Sequence, residues 1–232
     1  MLNVTQIVPL TLQPTAQFDG YLTPDALMAY CENRLQGIDS QVQAAFDQQE
    51  QANDDSTKLT NLANSIQVPS GDLDLNTETG YQQAWDTYQS MVNTANSLSN
   101  PQTKQDLLNA ASALKNELTS ALTDMTGWKW SEPPFQNDQQ IQAFFGGQTV
   151  QIGKISFSKG NKTSETISTA SFQSNVTDAI KGVQSDVSNS AELQMISLQS
   201  LMSQRQEAIQ ICTNLVQSLG DQVNKIADNV GH

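Results

Sequence analysis

Two stretches repeat apolar residues at alternating steps of three and four, one near each end of the chain. Toward the C-terminus the steps fall on Met195, Leu198, Met202, Arg205, Ile209, Cys212, Val216, Leu219, Val223, Ile226 and Val230, with Arg205 the one charged member. Toward the N-terminus they fall on Cys31, Leu35, Ile38, Val42, Ala45, Gln49, Ala52, Ser56, Leu59, Ala63 and Ile66, entered through Leu27 and Met28. A repeat averaging 3.5 residues keeps one stripe of a helix facing a partner along its whole length. The pattern predicts helices over about 24–67 and 189–230, each roughly 60 Å long at 1.5 Å per residue, paired as one antiparallel coiled-coil stalk.

Flush ends would set residue 24 beside residue 230 and bring Arg205 opposite Gln49 and Glu50. An arginine on a seam reaches a carboxylate or extends past the seam to water, unless it is kept for switching or partner choice. In this register Cys31 and Cys212 stand roughly 16 Å apart along the stalk and read as two small buried apolar side chains; only another register brings them together. The C-terminal helix also carries apolar residues off the main seam, at Ile196, Leu201, Ala208, Ile211 and Leu215. A stripe wider than one partner needs predicts a third helix, from the insert or from another subunit, so these five form a candidate self-assembly stripe.

Between the stalk helices, residues 68–188 read as a mixed insert. Val68, Pro69, Ser70 and Gly71 stop the first helix. A helical hairpin over 79–126 follows, with Ala84, Trp85, Tyr88, Met91, Val92 and Ala95 on one arm. Asn100 and Pro101 open the second arm, which runs through Leu107, Leu108, Ala111, Leu114, Leu118, Leu122 and Met125 to Gly127. The alternation Val150, Ile152, Ile155, Phe157 predicts short strands within about 148–168, with Gly160 and Asn161 turning the run onto Thr163–Ser168. A short helix around 175–187 leads into the stalk, and residues 1–23 read as an extended or disordered tail. The expected class is mainly α with a small β element: a long coiled-coil stalk of N- and C-terminal helices carrying an inserted mixed α/β region.

Composition narrows the partners. Twenty-four acidic residues against eleven basic ones give a net charge of -13, a surface that repels phosphate backbones and anionic lipid heads. Nucleic acid is not an expected partner. No window has the eighteen apolar residues of a membrane span, and the first thirty residues lack the basic start and apolar core of a cleaved Sec signal.

Candidate chemistry is sparse. The one histidine, His232, is the final residue, so neither a Ser-His-Asp triad nor a histidine metal site can be assembled within the chain. Asp72, Asp74, Asn76 and Glu78 alternate like calcium ligands. Thr77 stands where the loop needs glycine and Gln83 where it needs a bidentate glutamate, so a solvated interhelix loop is expected. Asp54-Asp55 reads as part of a solvent face. The Trp128-Lys129-Trp130 loop, with Pro133, Pro134 and Phe135, reads as closing the small core of the insert rather than holding a ligand. No catalytic residue, cofactor or metal is expected.

The order of an uncharged polar N-terminal tail, an early long helix, a mixed insert and a C-terminal heptad helix resembles the hydrophilic translocators of bacterial type III secretion, the needle-tip and extension-filament proteins. The segment from Leu198 through Gln199, Ser200, Leu201, Met202, Ser203, Gln204 and Arg205, continuing to Leu215 and Leu219, is similar to the Gln- and Ser-rich terminal helices of that family. The resemblance implies a secreted, non-catalytic virulence protein at the bacterial surface that caps or extends a needle and supports translocator insertion into the host membrane. It also implies self-association, contact with the needle subunit and hydrophobic translocators, and a dedicated cytosolic chaperone. The alternatives are a flagellin-like or other filament subunit and a cytosolic coiled-coil adaptor or chaperone.

Overall fold

The computed structural model describes residues 23–161 and 166–230; the expected tail over 1–23 lies outside them apart from Thr23. The chain is mainly α with a small β element, and its two long terminal helices pair antiparallel. These are α1 (Pro24–Ser65) and α6 (Ala179–Val230). Two compact units share the chain, Met1–Glu50 with Ala191–His232, and Gln51–Ser190. The division falls inside α1 and not at its end, because Leu59 and Leu62 of α1 and Ile180, Val183 and Val187 of α6 belong to the core of the second unit.

In that unit α2 (Glu78–Ser97) and α3 (Pro101–Thr126) form the hairpin. Their limits follow from local chemistry. The Thr77 hydroxyl accepts from the Gly80 amide and starts α2. A Cβ on Gly80 would stand 2.2 Å from the Asp74 carbonyl oxygen, so only glycine lets the chain turn into the helix there. Asn100 accepts from the Gln102 and Thr103 amides, and Pro101 occupies the first helical position, where an N–H would have no partner. Gly127, at φ 73°, closes α3 in the left-handed conformation. Beyond it, α4 (Asp138–Phe145) is capped by Asn137.

The strands differ from expectation in their pairing. β2 (Val150–Ile152) and β3 (Ile155–Phe157) form an antiparallel hairpin turned by Gly153-Lys154, not by Gly160-Asn161. Two residues suffice for that turn, and this register buries Val150 and Phe157 together. The Gly160 amide instead donates to the Met125 carbonyl at the end of α3. β4 (Thr166–Ile167) pairs with β1 (Leu73–Asp74), so the segment before α2 supplies its partner. The expected separate helix at 175–187 is also corrected. A short α5 (Thr169–Phe172) passes through a π-helical segment (Gln173–Asp178) directly into α6, since no glycine or proline breaks the run at Ser188–Ser190.

Aromatic rings close this core. Phe135 lies 5.7 Å from Tyr81 and 5.5 Å from Phe144, and Trp130 lies 4.8 Å from Phe157 while its indole N–H donates to the Thr126 hydroxyl. Trp130 and Phe135 thus act as the sequence suggests, whereas Trp128 points out, 55% exposed. The Asp72–Glu78 segment is used locally. Asp72 accepts from the Thr169 amide and Asp74 from the Asn76 amide.

Asp55 is the larger correction. It is buried, not part of a solvent face, and its carboxylate accepts from the Ser99 amide at 2.8 Å and the Asn100 amide at 3.0 Å. Lys58 sits 3.9 Å from it and donates to the Ser97 carbonyl. One carboxylate therefore anchors the turn between α2 and α3 onto α1. Asp55→Ala removes the carboxylate that both turn amides donate to and should cost about 1–3 kcal/mol in urea denaturation, whereas Asp54→Ala, at an exposed position, should stay within about 0.5 kcal/mol. Equal losses would mean that the carboxylate does not hold the turn.

Candidate assembly interface

The first unit consists of the early part of α1 and the later part of α6. On α1 the repeat is used as read: Cys31 and Ile38 are buried, while Leu35, Val42, Ala45 and Gln49 are partly buried. The register is not. Cys31 and Cys212 form a disulfide with Cα atoms 5.6 Å apart, and the Arg205 guanidinium donates to the Asp39 carboxylate. These two pairs move α1 by about ten residues from the flush arrangement, so Arg205 meets Asp39 instead of Gln49 and Glu50. Pro24 then stands level with Leu219, and residues 221–229 of α6 are exposed.

The seam of α6 is corrected with it. Two columns three residues to either side of Leu198, Arg205, Cys212, Leu219 and Ile226 compete for the second row: Met195, Met202, Ile209, Val216 and Val223, or Leu201, Ala208 and Leu215. The structure turns the second inward. Leu201 and Ala208 are buried and Leu215 is partly buried, whereas Met195, Met202, Ile209, Val216 and Val223 are between 39% and 55% exposed. Three members of the candidate self-assembly stripe therefore belong to the intramolecular seam, and only Ile196 and Ile211 of that stripe lie outside. Ile226 is exposed as well.

The cystine sets the face. A bond with Cα atoms 5.6 Å apart needs both cysteines on the facing sides of the two helices, and Ala208, one turn before Cys212, is fully buried beside it. The longer, more apolar column obscured this in the sequence.

Arg205 is half-exposed, and its hydrogen bond to Asp39 raises its pKa further, so the guanidinium keeps its charge. It orients the helices more than it stabilises them. Beside it, α1 carries a shallow groove lined by Glu32, Leu35, Gln36, Asp39, Ser40 and Gln43.

In the second unit the perturbed groups have structural causes. Burial raises the pKa of Tyr81, whose hydroxyl is enclosed. Burial raises that of Asp86, opposed by the hydrogen bond from Gln82 and reinforced by the charge of Asp138. Burial and the Glu132 charge raise that of Tyr88. Among the described residues no three His, Cys, Asp or Glu side chains converge on a possible metal position, and no helix is long and apolar enough to cross a membrane. What the first unit presents is therefore a helical surface: a cross-linked pair with an apolar column left open beside its seam.

The disulfide spans 181 residues of chain and should contribute about 3–5 kcal/mol by restricting the unfolded state. Cys212→Ser, followed by thermal melting, should lower stability by that order. The oxidised protein should yield no free thiol under denaturing conditions; two titratable thiols would overturn the link. The chain matches no family model, no curated protein and no solved structure.

Proposed function

We propose that this chain is a secreted structural protein of a type III secretion apparatus, capping or extending the needle and supporting insertion of hydrophobic translocators into a host membrane, with no catalysis of its own. The observation that carries the reading is the Cys31–Cys212 cystine across the paired terminal helices. A buried disulfide persists in oxidising surroundings and is rare in a reducing cytosol, so the link favours a working place outside the cell over a cytosolic adaptor or chaperone. The long terminal helix with an open apolar column supports an assembling subunit. A flagellin-like filament subunit shares both features and differs in the apparatus that exports it.

Fusion of the first twenty residues to a reporter tests the assignment. The reporter should leave a bacterium that carries the type III apparatus and stay inside an isogenic strain without it. Retention in both strains would sink the assignment, and export through the flagellar route alone would move it to the filament reading.

A further inference from the structure

We infer that the open column of α6 is a self-complementary interface, and that its occupant is the same column of a second copy running antiparallel. Sequence position makes the first step. With Arg205 and Cys212 on one row of the seam and Leu201 and Ala208 on the other, Met195, Met202, Ile209, Val216 and Val223 fall at the flanking position that follows Leu201 and Ala208 in each heptad. In a two-stranded coil that position is commonly charged, often glutamate or lysine. Here five successive heptads leave it apolar, and all five residues are exposed.

The two sides of the helix pair differ. Antiparallel packing puts Phe46, Asp39 and Glu32 of α1 on the side of this column, and Phe46 is exposed like its neighbours. The other side carries Ser197, Gln204, Ile211 and Ser218 of α6 with Arg34, Gln41 and Gln48 of α1, and is mostly polar. Only one side therefore invites another helix, and a helix laid there would continue the seam without a gap.

The occupant follows from the spacing. A straight line of apolar side chains seven residues apart, about 42 Å from first to last, is matched by a helix with the same repeat over the same length. Among the described residues, α2 and α3 already bury their apolar faces in the second unit. The column itself meets the requirement. A two-fold axis at Ile209 sets Ile209 against its counterpart, Met202 against Val216 and Met195 against Val223, so each large side chain meets a smaller one. The five residues with Phe46 offer roughly 500 Å² per copy, about 1,000 Å² in the dimer, below the span of stable interfaces and at the minimum for a weak, reversible one. The dimer should accordingly form at micromolar concentrations.

The interface deepens the assembly half of the proposed function and does not require the secretion half, since purified protein tests one and reporter export the other. Oxidised full-length protein should show twice the 25.3 kDa monomer mass by light scattering at tens of micromolar. Ile209→Glu with Val216→Glu should raise the dissociation constant at least tenfold while circular dichroism and melting stay unchanged, because both side chains lie on the surface. Ser197→Glu with Gln204→Glu, on the opposite side, should leave the dimer intact. A photo-reactive side chain at position 209 should cross-link to α6 of a second copy. A monomer at every concentration, equal loss from both double variants, or a cross-link to residues 1–22 of the same chain would each overturn the proposal.

Discussion

A single covalent contact decides which faces of α1 and α6 meet. Heptad helices tolerate sliding, because each shift by a full repeat restores apolar against apolar. A bond between Cys31 and Cys212 removes that freedom, and in the register it sets Ala208 is buried while Ile209 is turned outward. Arg205 follows as a consequence. Once the register is set, the carboxylate within its reach is Asp39, on the same side of the pair as the column that the cystine has turned outward.

The second unit is held by different means. Its core is built from the α2–α3 hairpin, the aromatic cluster around Phe135 and Phe144, and segments of both long helices. Asp55 supplies the polar counterpart to this packing. The turn at Ser99-Asn100 leaves two amides outside the helical ladders, at the edge of the core, and they need an acceptor. A carboxylate projecting from α1 satisfies both, so the hairpin is positioned by charge-assisted hydrogen bonds as well as by apolar contact.

Sequence made the large features legible because they depend on periodicity and caps. The part of α6 over 189–230, the hairpin arm opened by Asn100-Pro101 and closed by Gly127, and the inward stripe of α1 all follow from local rules. Three features needed tertiary information. The register depends on a cysteine pair 181 residues apart, which no local pattern encodes. The β1–β4 pairing joins two-residue strands, too short to show alternation. Asp55 differs from its exposed neighbour Asp54 only in the direction it faces, and a pair of adjacent acids reads as solvated until the turn beside it is known. The candidate interface was half legible for a related reason: the apolar columns of α6 were evident, while the choice of inner column rested on the cystine.

That choice gives the exposed column its meaning. Had Ile209 and its companions packed inward, α6 would have spent its most apolar row on its own chain and left Leu201, Ala208 and Leu215 outside, a shorter row with a gap at alanine. The opposite arrangement fills the intramolecular contact with Leu201, Ala208, Leu215 and a covalent bond, and keeps the longer row of methionine, isoleucine and valine for the surface. An exposed row that long carries an aggregation hazard in a monomer, and charge at the flanking position would remove it at little cost to folding. Its retention over five heptads, in a chain otherwise strongly acidic, is accounted for by a partner that covers it. The cross-link and the open column are then two parts of one arrangement, the first fixing the helix pair so that the second is presented as a rigid, continuous edge.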